Sequence, residues 1–103
     1  MSIRENRTGD TVELVVDSLS LAGDEATALK EKAVELIDSG QIKLSLNLTK
    51  PEYIDSSGIG KLLFMNKKIE KLGGDFRISA INSTLYDFLE SLAITKVMDI
   101  ASP

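Results

Sequence analysis

From Gln41 to Leu48 apolar and polar residues alternate strictly, with Ile42, Leu44, Leu46 and Leu48 on one side and Lys43, Ser45 and Asn47 on the other. A period of two is that of a strand, and the polar half predicts a sheet with one wetter face. Ile3 to Arg7 and the β-branched run Thr11 to Val16, separated by Thr8-Gly9-Asp10, predict a β-hairpin. Asp17 to Gly23 reads as a loop with room for a brief extended piece, and Asp24 as the cap of a first helix. In that helix Ala26, Leu29, Ala33, Leu36 and Ile37 recur at helical spacing, until Ser39-Gly40 ends it.

After the alternating strand, Thr49-Lys50-Pro51-Glu52 is a connection, because proline cannot donate to a central ladder, and Ile54 is expected to tuck inward. A second helix is expected from about Ser57 to Leu72. Its wheel groups Ile59, Leu62, Leu63, Ile69 and Leu72 on a buried stripe, with Met65 at the edge and Asn66 inside it as a hydrogen-bonded amide. Its opposite face carries Lys61, Phe64, Lys67, Lys68 and Lys71 around Gly60, either a solvated face with one exposed ring or a contact surface. Gly73-Gly74 closes the helix and Asp75 to Ile81 is the next strand. Asn82-Ser83 caps a third helix with Leu85, Phe88, Leu89 and Leu92 as its core stripe, and Ala93 to Pro103 is either a short strand or a helical turn. The order β-β-α-β-α-β-α predicts an α/β fold: a mixed sheet, antiparallel in its N-terminal hairpin and otherwise parallel, packed with about three to four helices.

Composition narrows the chemistry. The 103 residues are expected to form one domain spanning 1–103, and neither histidine nor cysteine occurs. Triad-type catalysis, thiol chemistry, disulfides and the usual zinc and iron sites are thereby removed, so the expectation is no enzyme, no cofactor and no metal. A net charge of −4 offers no overall attraction to nucleic acid. The chain has no apolar run of about 18 residues and opens on Met1-Ser2-Ile3-Arg4-Glu5, so membrane insertion and a signal peptide are not expected and the cytoplasm is.

The chemistry-bearing stretch is Tyr53 to Leu63, which combines a strand exit, an acid, two hydroxyls, two glycines and a helix start. In open α/β sheets such strand-to-helix loops are the favoured place for function. Gly58-Ile59-Gly60-Lys61 is not a phosphate-binding loop, which needs glycine at Asp55 and Ser or Thr at Leu62, nor a dinucleotide fingerprint, which needs glycine at Leu63. Ser56 or Ser57 can cap the helix, because a side-chain oxygen accepts from an unpaired first-turn N–H, and the same electropositive end can stabilise a phosphate.

Asp55-Ser56-Ser57-Gly58-Ile59-Gly60, following a strand and connector and opening an amphipathic helix, resembles the STAS domain of bacterial anti-sigma-factor antagonists. The early hairpin, the leucine-rich stretch ending at Gly23, the alternating strand and the Gly-Gly helix exit share in the resemblance, which covers nearly the whole chain. It implies a STAS-like fold and a phosphorylation switch on the serine after the aspartate, here Ser56. The implied partners are an anti-sigma factor that is itself a serine kinase and a PP2C-type, metal-dependent serine phosphatase. Unphosphorylated, the chain would bind that kinase and free the sigma factor. The alternative is a STAS subunit of a larger assembly, such as a stressosome or a lipid-transport complex. The expected partner surface comprises Asp55, Ser56, Ser57, Gly58, Gly60, Lys61 and Phe64, on a monomer or weak dimer. Ser57 is expected to hold the helix end while Ser56 carries the phosphate. Asp55 is expected to orient the loop or meet the partner rather than catalyse.

Overall fold

The computed structural model describes residues 3–103, so Met1-Ser2 at the head of the expected leaderless start lie outside the described residues. Strands β1 (Ile3–Thr8) and β2 (Thr11–Val16) form the expected hairpin, with Ile3 opposite Val16 and Thr8 opposite Thr11. A two-residue strand β3 (Ser20–Leu21) precedes helix α1 (Gly23–Asp38), and β4 (Lys43–Leu48) follows. Then come β5 (Tyr53–Ile54), α2 (Ser56–Lys71), β6 (Asp75–Ile81), α3 (Ser83–Ser91), a 3₁₀ turn (Ile94–Lys96) and β7 (Asp99–Ile100). The last segment is therefore both a helical turn and a strand.

Five strands form one sheet in the order β1-β2-β4-β6-β7, antiparallel between β1 and β2 and parallel elsewhere. Register turns the alternation of single strands into rows across the sheet. Val12, Leu44 and Phe76 align, as do Leu14, Leu46, Ile78 and Ile100, and all but the partly buried Ile100 lie in the core. Glu13, Ser45, Arg77 and Asp99 align between those rows on the opposite face, with Asn6 opposite Glu13. The wetter face expected from Lys43, Ser45 and Asn47 is this polar row and its neighbours, but Ser45 at the middle of the row is buried. The apolar rows share one core with α1, α2 and α3, the three α-helices among the described residues.

In α1 the five residues expected to be buried are the five that are: Ala26, Leu29, Ala33, Leu36 and Ile37. Its start differs from expectation. Ala22 occupies the N-cap position with an extended backbone and no side-chain cap, while Asp24 sits inside the first turn, where a carboxylate favours the helix dipole without bonding an N–H.

The expected stripe of α2 is rotated. Met65 is fully buried at its centre with Leu62 and Ile69, Ile59 and Leu63 are partly buried, and Leu72 is 53% exposed just past the helix end. Asn66 is half-buried at the margin, its Nδ2 donating to the Val97 carbonyl at 3.3 Å. Leu85 and Leu89 anchor α3, but Phe88 and Leu92 are exposed, because nothing among the described residues covers that flank of a nine-residue helix.

Candidate functional site

Connector 49–52 and β5 deliver the chain to α2. Asn82, at the N-cap of α3, fastens this delivery: its Oδ1 accepts from the Leu85 N–H at 2.9 Å, and its Nδ2 donates to the carbonyls of Thr49 at 3.0 Å and Pro51 at 2.6 Å. β5 pairs in parallel with β3, placing Ser20 opposite Tyr53 and Leu21 opposite Ile54, and Ile54 is buried as expected. This small sheet joins residues 33 positions apart, and no periodicity in segments of two residues could have revealed it.

Asp55 is the N-cap of α2. Its Oδ1 accepts from the Gly58 N–H at 2.8 Å and from the Ser57 hydroxyl at 2.8 Å, while its carbonyl accepts from the Ile59 N–H at 3.0 Å. The expectation that Ser57 holds the helix end is corrected. A carboxylate with extended backbone (φ −101°, ψ 179°) one residue before the first helical position takes the cap, and Ser57 donates to it instead. The Gly58 N–H first, and the Ser57 hydroxyl second, hold the Asp55 carboxyl below the usual carboxylate range. Asp55 is thus an ionised structural acceptor and a poor proton acceptor.

Ser56 is exposed at the first position of α2, and its hydroxyl has no hydrogen bond among the described residues. Ser57 is also exposed, but its hydroxyl is committed to Asp55. The two adjacent serines are therefore chemically distinct.

The two glycines also differ. Gly58 is buried, and a Cβ there would press on the Leu21 carbonyl oxygen and lie 2.7 Å from Ile54 Cγ1. Its smallness lets the first turn of α2 dock on β3 and β5, so Gly58, expected in the partner surface, lies beneath that surface instead. Gly60 is exposed, with nothing within 4 Å of such a Cβ, so its smallness serves no packing among the described residues.

Farther along α2, Lys61 is half-buried and Phe64 remains 43% exposed. Sequence reasoning missed Lys30 of α1, whose Nζ stands 4.4 Å from the centre of the Phe64 ring, a cation–π contact. Lys68 leans the same way, 3.8 Å from Asp38 of α1. Among the described residues no three His, Cys, Asp or Glu side chains gather where a metal could be held. No helix among them is long and apolar enough to cross a membrane.

A family model for the STAS domain matches residues 10–102. Among solved structures, the fold is similar to that of TM1081 from Thermotoga maritima, a candidate anti-sigma factor antagonist. The TM-score is 0.84 at 21% identity, over 98% of this chain and 86% of that one. SpoIIAA, a cell-fate determinant of Bacillus, matches in its phosphorylated form with a TM-score of 0.74 at 19% identity, over 97% of this chain and 91% of its own. The anti-sigma factor antagonist SpoIIAA in its unphosphorylated form gives 0.70 at 20% identity, over 92% and 96%. At these identities the likeness to the solved structures is one of fold.

Proposed function

The chain belongs to the STAS-domain family, and from that membership we propose that it is a non-catalytic, cytoplasmic anti-sigma-factor antagonist switched by phosphorylation of Ser56. Its unphosphorylated form binds a serine kinase that doubles as an anti-sigma factor and thereby frees the sigma factor. Kinase action on Ser56 ends that binding, and a PP2C-type phosphatase restores it. The single observation carrying the reading is the difference between the two serines: Ser56 offers a free, exposed hydroxyl at a helix N-terminus, whereas the hydroxyl of Ser57 is held by Asp55.

In the forward step the Ser56 oxygen attacks the γ-phosphorus of ATP carried by the kinase. The bond to the β-phosphate oxygen breaks, ADP leaves, and the hydroxyl proton passes to a base of the kinase. Asp55 is a poor candidate for that base, being already an acceptor for two donors and held strongly ionised. Its work is to set the start of α2 and so aim Ser56 outward. In the reverse step water attacks the phosphorus, the bond to the Ser56 oxygen breaks, that oxygen takes up a proton to regenerate the hydroxyl, and inorganic phosphate is released.

Phosphate adds about −1.5 to −2 charges beside the Asp55 carboxylate. The first-turn N–H groups of α2 can tolerate it within the chain, but a partner packed over Ser56 would have to desolvate it. A difference of about 3 kcal/mol between the two forms changes affinity roughly 150-fold, enough for a switch. The contact surface is assigned to Asp55, Ser56, Ser57 and Gly60, extended by Lys61 and Phe64. Gly58 supports it from beneath.

Incubation with the cognate kinase and ATP is expected to add one phosphate, on Ser56, and Ser56→Asp to weaken binding of that kinase. Peptide mapping that finds phosphate on Ser57 alone, or on neither serine, overturns the reading.

A further inference from the structure

Gly60 weakens α2, since glycine inside a helix is less favourable than alanine. Nothing among the described residues requires it, because the space where its Cβ would stand is open. Gly58, two residues earlier, is fully explained by packing against Leu21 and Ile54. A helix interior with an unneeded glycine at the surface is a notch, and what lies beside the notch has a consistent character. At 100° per residue, Ser56, Gly60, Phe64, Lys67 and Lys71 fall within about 80° of one another on the outward side of α2, away from Leu62, Met65 and Ile69. At a rise of about 1.5 Å per residue the stripe runs roughly 22 Å from Ser56 to Lys71.

Its chemistry is graded along that length: a neutral hydroxyl, then the notch, then a ring left 43% exposed, then two exposed lysines. Lys30 stands over the Phe64 ring, and Lys68 lies along the flank near Asp38. Lys67 and Lys71 have no ion-pair partner among the described residues. The helix dipole accounts for lysines in the last turn of α2. It does not account for the exposed Phe64 or for Gly60. In a chain of net charge −4, a positive stripe with an apolar centre is fitted to an acidic surface rather than to a basic one.

We propose that α2 docks an acidic amphipathic α-helix of the anti-sigma kinase along the stripe Ser56-Gly60-Phe64-Lys67-Lys71, with Gly60 as the crossing notch. This rests on the antagonist reading and names the element that the partner brings. The partner helix crosses where Gly60 permits close approach, sets an apolar side chain against Phe64, and places its carboxylates over Lys67 and Lys71. Ser56 lies at the N-terminal end, about 16 Å of helix away from Lys67 and beyond the roughly 8 Å screening length of physiological salt. Phosphate there acts by spoiling desolvation at the near end, while the lysines set attraction at the far end, so the two effects are separable.

The test titrates the purified serine kinase that phosphorylates this chain with wild type, Lys67→Glu/Lys71→Glu, Gly60→Leu and Ser56→Asp, by calorimetry at low and high salt. The double charge reversal is expected to weaken binding about tenfold or more at 50 mM NaCl and to lose most of that deficit at 500 mM. Gly60→Leu is expected to weaken binding about tenfold at both salts while its melting temperature stays at or above wild type, which separates a blocked notch from a damaged fold. Overturning results are full affinity in the charge-reversed protein, a deficit indifferent to salt, or full affinity in Gly60→Leu. If these occur while Ser56→Asp still abolishes binding, the docking element is wrong and the switch stands. If the stripe variants weaken binding as expected and Ser56→Asp does not, the switch is wrong and the docking element stands.

Discussion

Two glycines two residues apart in one helix should respond to alanine with opposite signs. At Gly58 the new Cβ would press on the Leu21 carbonyl oxygen and lie 2.7 Å from Ile54 Cγ1. That carbonyl belongs to a strand paired with β5, so neither neighbour is the free end of a flexible side chain. Relief requires the first turn of α2 to lift off β3 and β5. Overpacking of this kind costs about 1–3 kcal/mol, while the helical preference of alanine over glycine returns roughly 0.5–1 kcal/mol. At the middle of these ranges the net loss is about 1 kcal/mol, or a melting temperature roughly 5 °C lower for a domain of this size. At Gly60 only the second effect operates, so Gly60→Ala should gain about 0.5–1 kcal/mol and roughly 2–5 °C. Urea unfolding and scanning calorimetry of both variants measure this directly. Equal signs, or a neutral Gly58→Ala, would refute the assignment of Gly58 to packing and of Gly60 to open solvent.

Asn82→Ala should destabilise by about 1–3 kcal/mol, since it removes the α3 cap and both bonds to the connector. Asn82→Asp keeps the cap acceptor but loses the two donors, so its urea midpoint should fall between alanine and wild type; a wild-type midpoint would show that the connector does not depend on them. Acid should weaken the protein modestly through its depressed, exposed carboxyls: Asp55 on the Gly58 N–H, Asp17 with Arg4, Asp10 with Lys43 and Glu5 with Lys32. Each has a folded value below its ordinary one, so its stabilisation is complete above about pH 5 and is lost as pH falls below about 4. With no histidine, stability should be flat between about pH 5.5 and 7.5, and Asp55→Asn, which leaves an uncharged cap acceptor, should shallow the acid limb; an unchanged limb would contradict the role given to Asp55.

Legibility followed the range of the interactions. The five buried residues of α1 and the alternation of β4 were readable because a repeating period reports one continuous face, and the Asn82 cap because its chemistry is complete within four residues. In α2 the periodicity places Met65 only at the edge of the stripe, whereas packing puts it at the buried centre between Leu62 and Ile69, and Leu72 is exposed because the helix ends at Lys71, before it. Phe88 and Leu92 match a core pattern, yet burial needs a partner surface and that flank of α3 has none among the described residues. Lys30 reached Phe64 only once α1 and α2 had packed.

By itself the sequence determined that an acid, two hydroxyls and two glycines stand where a strand hands over to an amphipathic helix, and that no histidine or cysteine accompanies them. Local chemistry suffices for that, because cap-forming residues and helical periodicity act within a turn or two. Which of three adjacent polar residues caps the helix, and which hydroxyl is left free, was decided by tertiary structure. The pairing of β3 with β5 makes Ile54 the last strand residue, so that Asp55 falls at the N-cap, Ser56 at the first helical position and Ser57 at the second. Contacts between residues 33 positions apart therefore leave Ser56 free while Asp55 and Ser57 are bound to each other.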